Sequence, residues 1–142
     1  MDIRALTQDY VVSPQIELAD LAAIKAAGFV TVIDNRPDGE IPQGLQAVAM
    51  NRAAEAMGLT FVVNPLTPGS ITDENITAQR SAVQGSKGRV FAYCASGNRS
   101  SQVWAMMNAG LIPTDELIAT PARFGYHLEP LRPRLDQLAG KA

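Results

Sequence analysis

Apolar residues in this chain come in short β-branched runs separated by longer stretches with helical spacing. Phe29 to Asp34 (Phe-Val-Thr-Val-Ile-Asp) is nearly all apolar, which predicts a central strand buried on both faces. Arg89 to Tyr93 is also predicted as a strand, its apolar run ending at Cys94. Asp9 to Ser13, closed by Pro14, and Thr60 to Val63 complete four predicted strands. Between them, Glu17 to Ala27 carries Leu18, Leu21 and Ile24 on one helical face and stops at Gly28. Gln43 to Met57, rich in Ala, Gln, Glu and Met, predicts a second helix stopped by Gly58. Thr72 or Asp73 caps a third that runs to about Val83. Further helices are predicted from Gln102 to Ala109, from Thr114 toward Phe124, and from Leu131 to Leu138.

Strands alternating with helices imply βαβ units and an α/β fold. The expectation is a three-layer α/β/α architecture around a central, mostly parallel sheet of four to five strands. Right-handed crossovers then bring loops 35–39, 64–70 and 94–99 to the C-terminal edge of that sheet, where ligands sit in open α/β folds. Arg36 and the 64–70 loop should therefore rim the segment after Cys94. Val103, Trp104 and Met107 fall at helical spacing and read as core. Met50, Met57, Met106 and Met107 are expected to fill the helix–sheet interface. His127, before a proline-rich tail, reads as a surface or helix-packing residue.

At 142 residues the expectation is one domain with a real core, and a net charge of −2 argues against nucleic acid or an anionic membrane as a partner. Any phosphate site must then be local. One cysteine excludes an intramolecular disulfide and a multi-cysteine metal site. With one histidine beside it, no metal or other cofactor is expected. A lone thiol fits a reducing compartment. The first residues lack an apolar signal core and no run is long enough to span a bilayer, so the cytoplasm is the expected location.

The candidate chemistry lies in Val90 to Ser101, where a strand, a short loop and a helix follow one another. Loop amides and a helix N-terminus make an anion site, and the same field stabilises a thiolate at Cys94. Gly97 permits the turn. Arg99 can grip two oxygens of a phosphate- or sulfate-like group in a fork. The expected partner is a small anionic or phosphorylated substrate.

Four stretches, Asp9–Gln15, Val30–Glu40 (with Asn-Arg-Pro-Asp-Gly-Glu), Cys94–Ser100 and Gly125–Leu131, occur in an order that resembles a small bacterial family, the phosphatase-like domain of beta-lactamase hydrolase-like proteins. The resemblance runs from about Leu6 to Leu138 and implies a fold like that of dual-specificity and tyrosine phosphatases. It implies Cys94 as the nucleophile that forms a cysteinyl-phosphate, Arg99 as the oxyanion clamp and Ser100 as partner of the departing thiolate. Ala95, Ser96, Gly97 and Asn98 become the amide cradle.

The chain departs from ordinary tyrosine phosphatases in three ways. Four residues rather than five separate Cys94 from Arg99, which tightens the ring. Tyr93 stands where a histidine precedes the cysteine. The Asn64–Ser70 loop contains no carboxylate to act as general acid. Asp38 and Glu40 are either substitute acids or solvated turn residues. Arg36 either binds substrate or pairs with one of them, and Tyr93 either supports Cys94 by a hydrogen bond or packs in the core. The Tyr-Cys-Ala-Ser-Gly-Asn-Arg-Ser loop also resembles that of rhodanese-type sulfurtransferases, which have this four-residue gap and need no acid. A third possibility is a non-catalytic oxyanion-binding module.

Overall fold

The computed structural model describes residues 1–140. Strands β1 (Arg4–Ala5), β2 (Tyr10–Ser13), β3 (Phe29–Asp34), β4 (Thr60–Val63) and β5 (Arg89–Tyr93) form one sheet in the order β1-β2-β5-β3-β4. Neighbours are parallel except β1, which runs antiparallel to β2. The helices are α1 (Asp20–Ala26), α2 (Ala47–Ala56), α3 (Asp73–Gly85), α4 (Asn98–Met107), α5 (Thr114–Ala122) and α6 (Arg132–Leu138).

The two-residue period of the strands sorts the apolar side chains into two layers. Val11, Val32, Phe91 and Tyr93 face Leu21 and Ile24 of α1 and Met50 and Ala54 of α2. Tyr10, Val12, Ile33, Val90 and Ala92 face the other way, against α3, α4, α5 and α6 through Ile76, Trp104, Leu117 and Leu135. Both faces of the sheet are covered, which is why β3 and β5 read as continuous apolar runs. No helix among the described residues is long and apolar enough to cross a membrane.

The boundaries differ from expectation for local reasons. Strand β1 is short and rests on its register with β2, Arg4 opposite Val12, rather than on strand propensity. Helix α1 begins only at Asp20, so Leu18 lies in the turn before it and is 40% exposed; Met57, past the end of α2, is 37% exposed. Neither belongs to the core. The stretch from Gln43 is two pieces: a 3₁₀ turn at Gln43–Leu45, an extended Gln46, then α2 from Ala47. Thr72 caps α3 in a reciprocal box with Asn75. Helix α4 begins at Asn98, not Gln102, because Gly97 at φ +94° turns the chain straight into it. Arg99, Ser100 and Ser101 therefore occupy its first turn.

Beneath the C-terminal edge lies a buried polar knot. Asn35 Nδ2 donates to Asn64 O at 2.9 Å and to Gln79 Oε1 at 2.8 Å, and Asn64 Nδ2 donates to the same Gln79 oxygen at 2.8 Å. Gln79 Nε2 donates to Asn35 Oδ1 and to the Tyr10 hydroxyl, which donates to Ser100 O at 3.1 Å. These bonds tie the ends of β2, β3 and β4 and the body of α3 to the start of α4. Four of these six bonds run through Gln79, which accepts two with Oε1 and donates two with Nε2. Gln79→Leu should lower stability in urea unfolding by about 2–3 kcal/mol, because several buried groups lose partners together. A loss under about 0.5 kcal/mol would show that the knot contributes little.

Candidate anion-binding active site

A peptide unit presents its N–H and C=O in opposite directions, so tying a loop's carbonyls outside turns its amides inward. That is the arrangement after β5. Ala95 O accepts Gln15 N–H at 3.3 Å, and Ser96 O accepts the Tyr126 hydroxyl at 2.8 Å and Arg4 Nη1 at 3.3 Å. Gly97 O accepts the Ser101 N–H at 3.0 Å and its hydroxyl at 2.8 Å. Facing inward, the Gly97 N–H donates to Cys94 Sγ at 3.1 Å and the Asn98 N–H to Ser96 Oγ at 3.2 Å. The N–H groups of Ala95, Ser96, Arg99 and Ser100 meet no protein acceptor among the described residues. Together with the start of α4 they make a set of free donors that can hold an anion. A Cβ at position 97 would run into the Tyr126 hydroxyl, so both the backbone angle and the space require glycine there.

Arg99 is buried, and Glu40 holds it end-on: Nη1 donates to Oε2 at 2.9 Å and Nη2 to Oε1 at 2.8 Å. Leu66 O accepts a further Nη1 hydrogen at 2.7 Å. A guanidinium has five N–H donors. Three are thus committed to protein oxygens, which leaves Nε–H and the outer hydrogen of Nη2. Those two form the side-on fork, the geometry that takes a pair of oxyanion oxygens. The hydrogen bonds from Arg99 hold the Glu40 carboxyl below its ordinary range. The Arg99 pKa is raised, chiefly by Glu40, with the nearby Cys94 sulfur adding to the effect.

The predicted loop residues thus come together, but some in different roles. The Ser100 hydroxyl donates to Asn35 Oδ1 at 2.9 Å, which ties the start of α4 to the floor of the loop. Asp38 faces away and accepts the Ala47 N–H at 2.9 Å, at the start of α2. Glu40 reaches the site as the ionised partner of Arg99, which removes it as a proton donor near neutral pH. Arg36 stays at the rim with Nε 3.4 Å from Glu40 Oε1 and Nη1 3.3 Å from Gln15 Oε1.

Cys94 itself has no exposed surface. Four residues separate it from Arg99, and its sulfur accepts the Gly97 amide. Tyr93 points to the opposite face of the sheet, beside Asp34. Burial pushes the Asp34 carboxyl up to about 6 and also raises the Tyr93 hydroxyl. His127 is exposed. No cluster of His, Cys, Asp or Glu among the described residues could hold a metal ion. Arg4 carries no local signature in the sequence; Gln15, Leu66 and Tyr126 lay within stretches already singled out.

Comparison with known proteins gives the family and the fold. The family model described as beta-lactamase hydrolase-like protein, phosphatase-like domain, matches residues 2–111. A beta-lactamase hydrolase-like protein of Xylella fastidiosa (strain Temecula1) is 28% identical over 130 residues; the match covers 90% of this chain but 30% of that protein. The crystal structure of a candidate phosphatase from Neisseria meningitidis superposes with a TM-score of 0.82 at 33% identity, covering 97% of this chain and 99% of that one. Kinase associated phosphatase shares the fold, with a TM-score of 0.71 at 14% identity, covering 99% of this chain and 96% of that one. The architecture is that of the dual-specificity and tyrosine phosphatases.

Two pH dependences follow from the ionisable groups. Glu40 has a folded pKa below its ordinary 4.5, so it contributes stability that is present above that value and lost on further acidification. The stability difference between wild type and Glu40→Gln, followed by urea unfolding, should shrink below that pH; a constant difference would contradict the ion pair. Asp34 shifts the other way, from 3.8 to about 6, so the folded state retains a proton that the unfolded chain has released. Stability should fall as pH rises through that window, and Asp34→Asn should remove this slope. An unchanged slope in the variant would contradict the assignment.

Proposed function

The chain belongs to the phosphatase-like domain family of beta-lactamase hydrolase-like proteins, and from that premise we propose that it hydrolyses a phosphoester through a phosphocysteine at Cys94. The thiolate attacks phosphorus in line with the leaving oxygen, the P–O bond breaks, and water then cleaves the S–P bond to release phosphate. The inward amides of residues 95–100 and the open fork of Arg99 hold the equatorial oxygens. The observation that carries this reading is Arg99: it is buried, aimed at the ring by Glu40 and Leu66, and keeps a fork for an oxyanion. Since Cys94 is fully buried, the phosphoryl group has to enter through the ring to reach the sulfur, which favours small or slender substrates.

Among the described residues, none of the candidate carboxylates is placed to donate a proton at the ring. Glu40 is ionised, Asp38 caps α2, and loop 64–70 has no carboxylate. General acid catalysis contributes about 10²–10⁴ in rate, so alkyl phosphates lose that factor while aryl or acyl phosphates lose little. The substrate class is therefore a small phosphorylated molecule or side chain with a good leaving group. The lone thiol needs reducing surroundings, as in the cytoplasm.

The tight ring and the missing donor also favour a second reading, sulfur transfer. There the Cys94 thiolate attacks the outer sulfur of a thiosulfate-like donor, sulfite leaves, and the loop amides hold the persulfide. Phosphatase activity predicts slow, vanadate-inhibited turnover of p-nitrophenyl phosphate that vanishes in Cys94→Ser. Arg99→Lys should lose about 10²–10³ in kcat/KM, because a point charge cannot replace the fork. Turnover that survives Cys94→Ser would refute the mechanism. Mass spectrometry showing one added sulfur on Cys94 after thiosulfate, with no phosphatase activity, would select the second reading.

A further inference from the structure

The Ser96–Gly97 peptide is engaged at both ends. Its N–H is the backbone donor to Cys94 Sγ, at 3.1 Å. Its carbonyl faces away from the ring and accepts the Tyr126 hydroxyl at 2.8 Å and Arg4 Nη1 at 3.3 Å. Arg4 Nη1 also donates to the Tyr126 oxygen, and its guanidinium lies 5.3 Å from the centre of the Tyr126 ring. A cation, a hydroxyl, a carbonyl, an N–H and the sulfur thus stand in one chain of hydrogen bonds.

Such chains polarise along their length. A carbonyl oxygen that accepts charge-assisted bonds draws on the amide nitrogen through peptide resonance and makes its N–H a stronger donor. We propose that Arg4 and Tyr126 are positioning residues that stabilise the Cys94 thiolate through the Ser96–Gly97 peptide. The inference rests on the reading of Cys94 as the nucleophile.

Both residues reach the loop by structural detours. Arg4 is carried there by β1, opposite Val12. Tyr126 arrives after Gly125, at φ +88°, reverses the chain beyond α5. Asp2 bonds Arg4 Nη2 and orients it. Burial raises the Tyr126 pKa, so the hydroxyl keeps the proton it donates. Tyr93, the residue before the cysteine, points to the other side of the sheet and cannot take this role. The remaining charged or titratable groups about the sulfur are Arg99 with its partner Glu40, and Tyr10, whose hydroxyl is bound to Gln79 and Ser100. None of these bonds the Ser96–Gly97 peptide.

The chain has one cysteine, so far-ultraviolet thiolate absorbance against pH, with Cys94→Ser as the blank, reports this sulfur alone and needs no reagent to reach it. Tyr126→Phe removes only the hydroxyl and leaves the charge; Arg4→Gln removes the charge. Each should move the thiolate midpoint upward by about half to one pH unit, with the fold intact by melting curve. Arg4 is partly exposed, so Arg4→Gln gives the same readout should Tyr126→Phe not fold. Midpoints that superimpose on a wild type titrating below neutrality would overturn the relay while leaving the nucleophile reading in place. A wild-type midpoint at the ordinary cysteine value of about 8.5 would overturn the nucleophile reading itself, and the relay with it.

Discussion

A ring of amides cannot point inward unless something holds its carbonyls outward, and the site depends on that constraint. Three successive carbonyls, at Ala95, Ser96 and Gly97, are bound by Gln15, by Tyr126 with Arg4, and by Ser101. Their partners come from the end of β2, from β1, from the segment after α5 and from α4. The cradle is therefore a product of the tertiary structure, closed only when both ends of the chain have packed against the sheet edge. Gly97 completes it, because no other residue fits between the ring and the Tyr126 hydroxyl.

The second element is charge held without being used up. A buried guanidinium requires a counter-charge and filled hydrogen bonds. Glu40 and Leu66 supply both from one side, and the geometry of the end-on fork leaves the side-on fork toward the sulfur. The same ion pair explains why Glu40 is a poor acid: the interaction that fixes Arg99 holds the carboxylate ionised. Holding Arg99 and donating a proton are alternative uses of one carboxylate, and Glu40 is bonded to Arg99 through both its oxygens. Beneath, the Asn35–Gln79–Asn64 knot holds the strand ends at the spacing the ring needs, and Ser100 belongs to that floor.

Much of this was legible in the sequence because it is local. The β-branched runs at Phe29–Asp34 and Arg89–Tyr93, the Thr72 cap and the Cys94–Arg99 loop each carry their signal within a few residues, and topology then brings loops 35–39, 64–70 and 94–99 to one edge. What was not legible depends on distant partners. Glu40 was a candidate acid until its bonds to a residue 59 positions away placed it on Arg99. The Ser100 hydroxyl bonds Asn35, 65 positions away. Arg4 and Tyr126 stand 122 positions apart, and nothing in either local stretch announces that they meet on Ser96. Leu18 and Met57 fit the helical period but fall outside the helices, whose limits are set by turns at residues 17–19 and 57–58.

A crystal structure with orthovanadate would show the occupied ring. Vanadium is expected bonded to Cys94 Sγ inside the ring, its oxygens on the 95–100 amides and on Arg99 Nε and Nη2, with Glu40 still paired end-on to Nη1 and Nη2. Vanadate bound elsewhere, or Glu40 displaced from Arg99 while the ring stays closed on the sulfur, would contradict this arrangement.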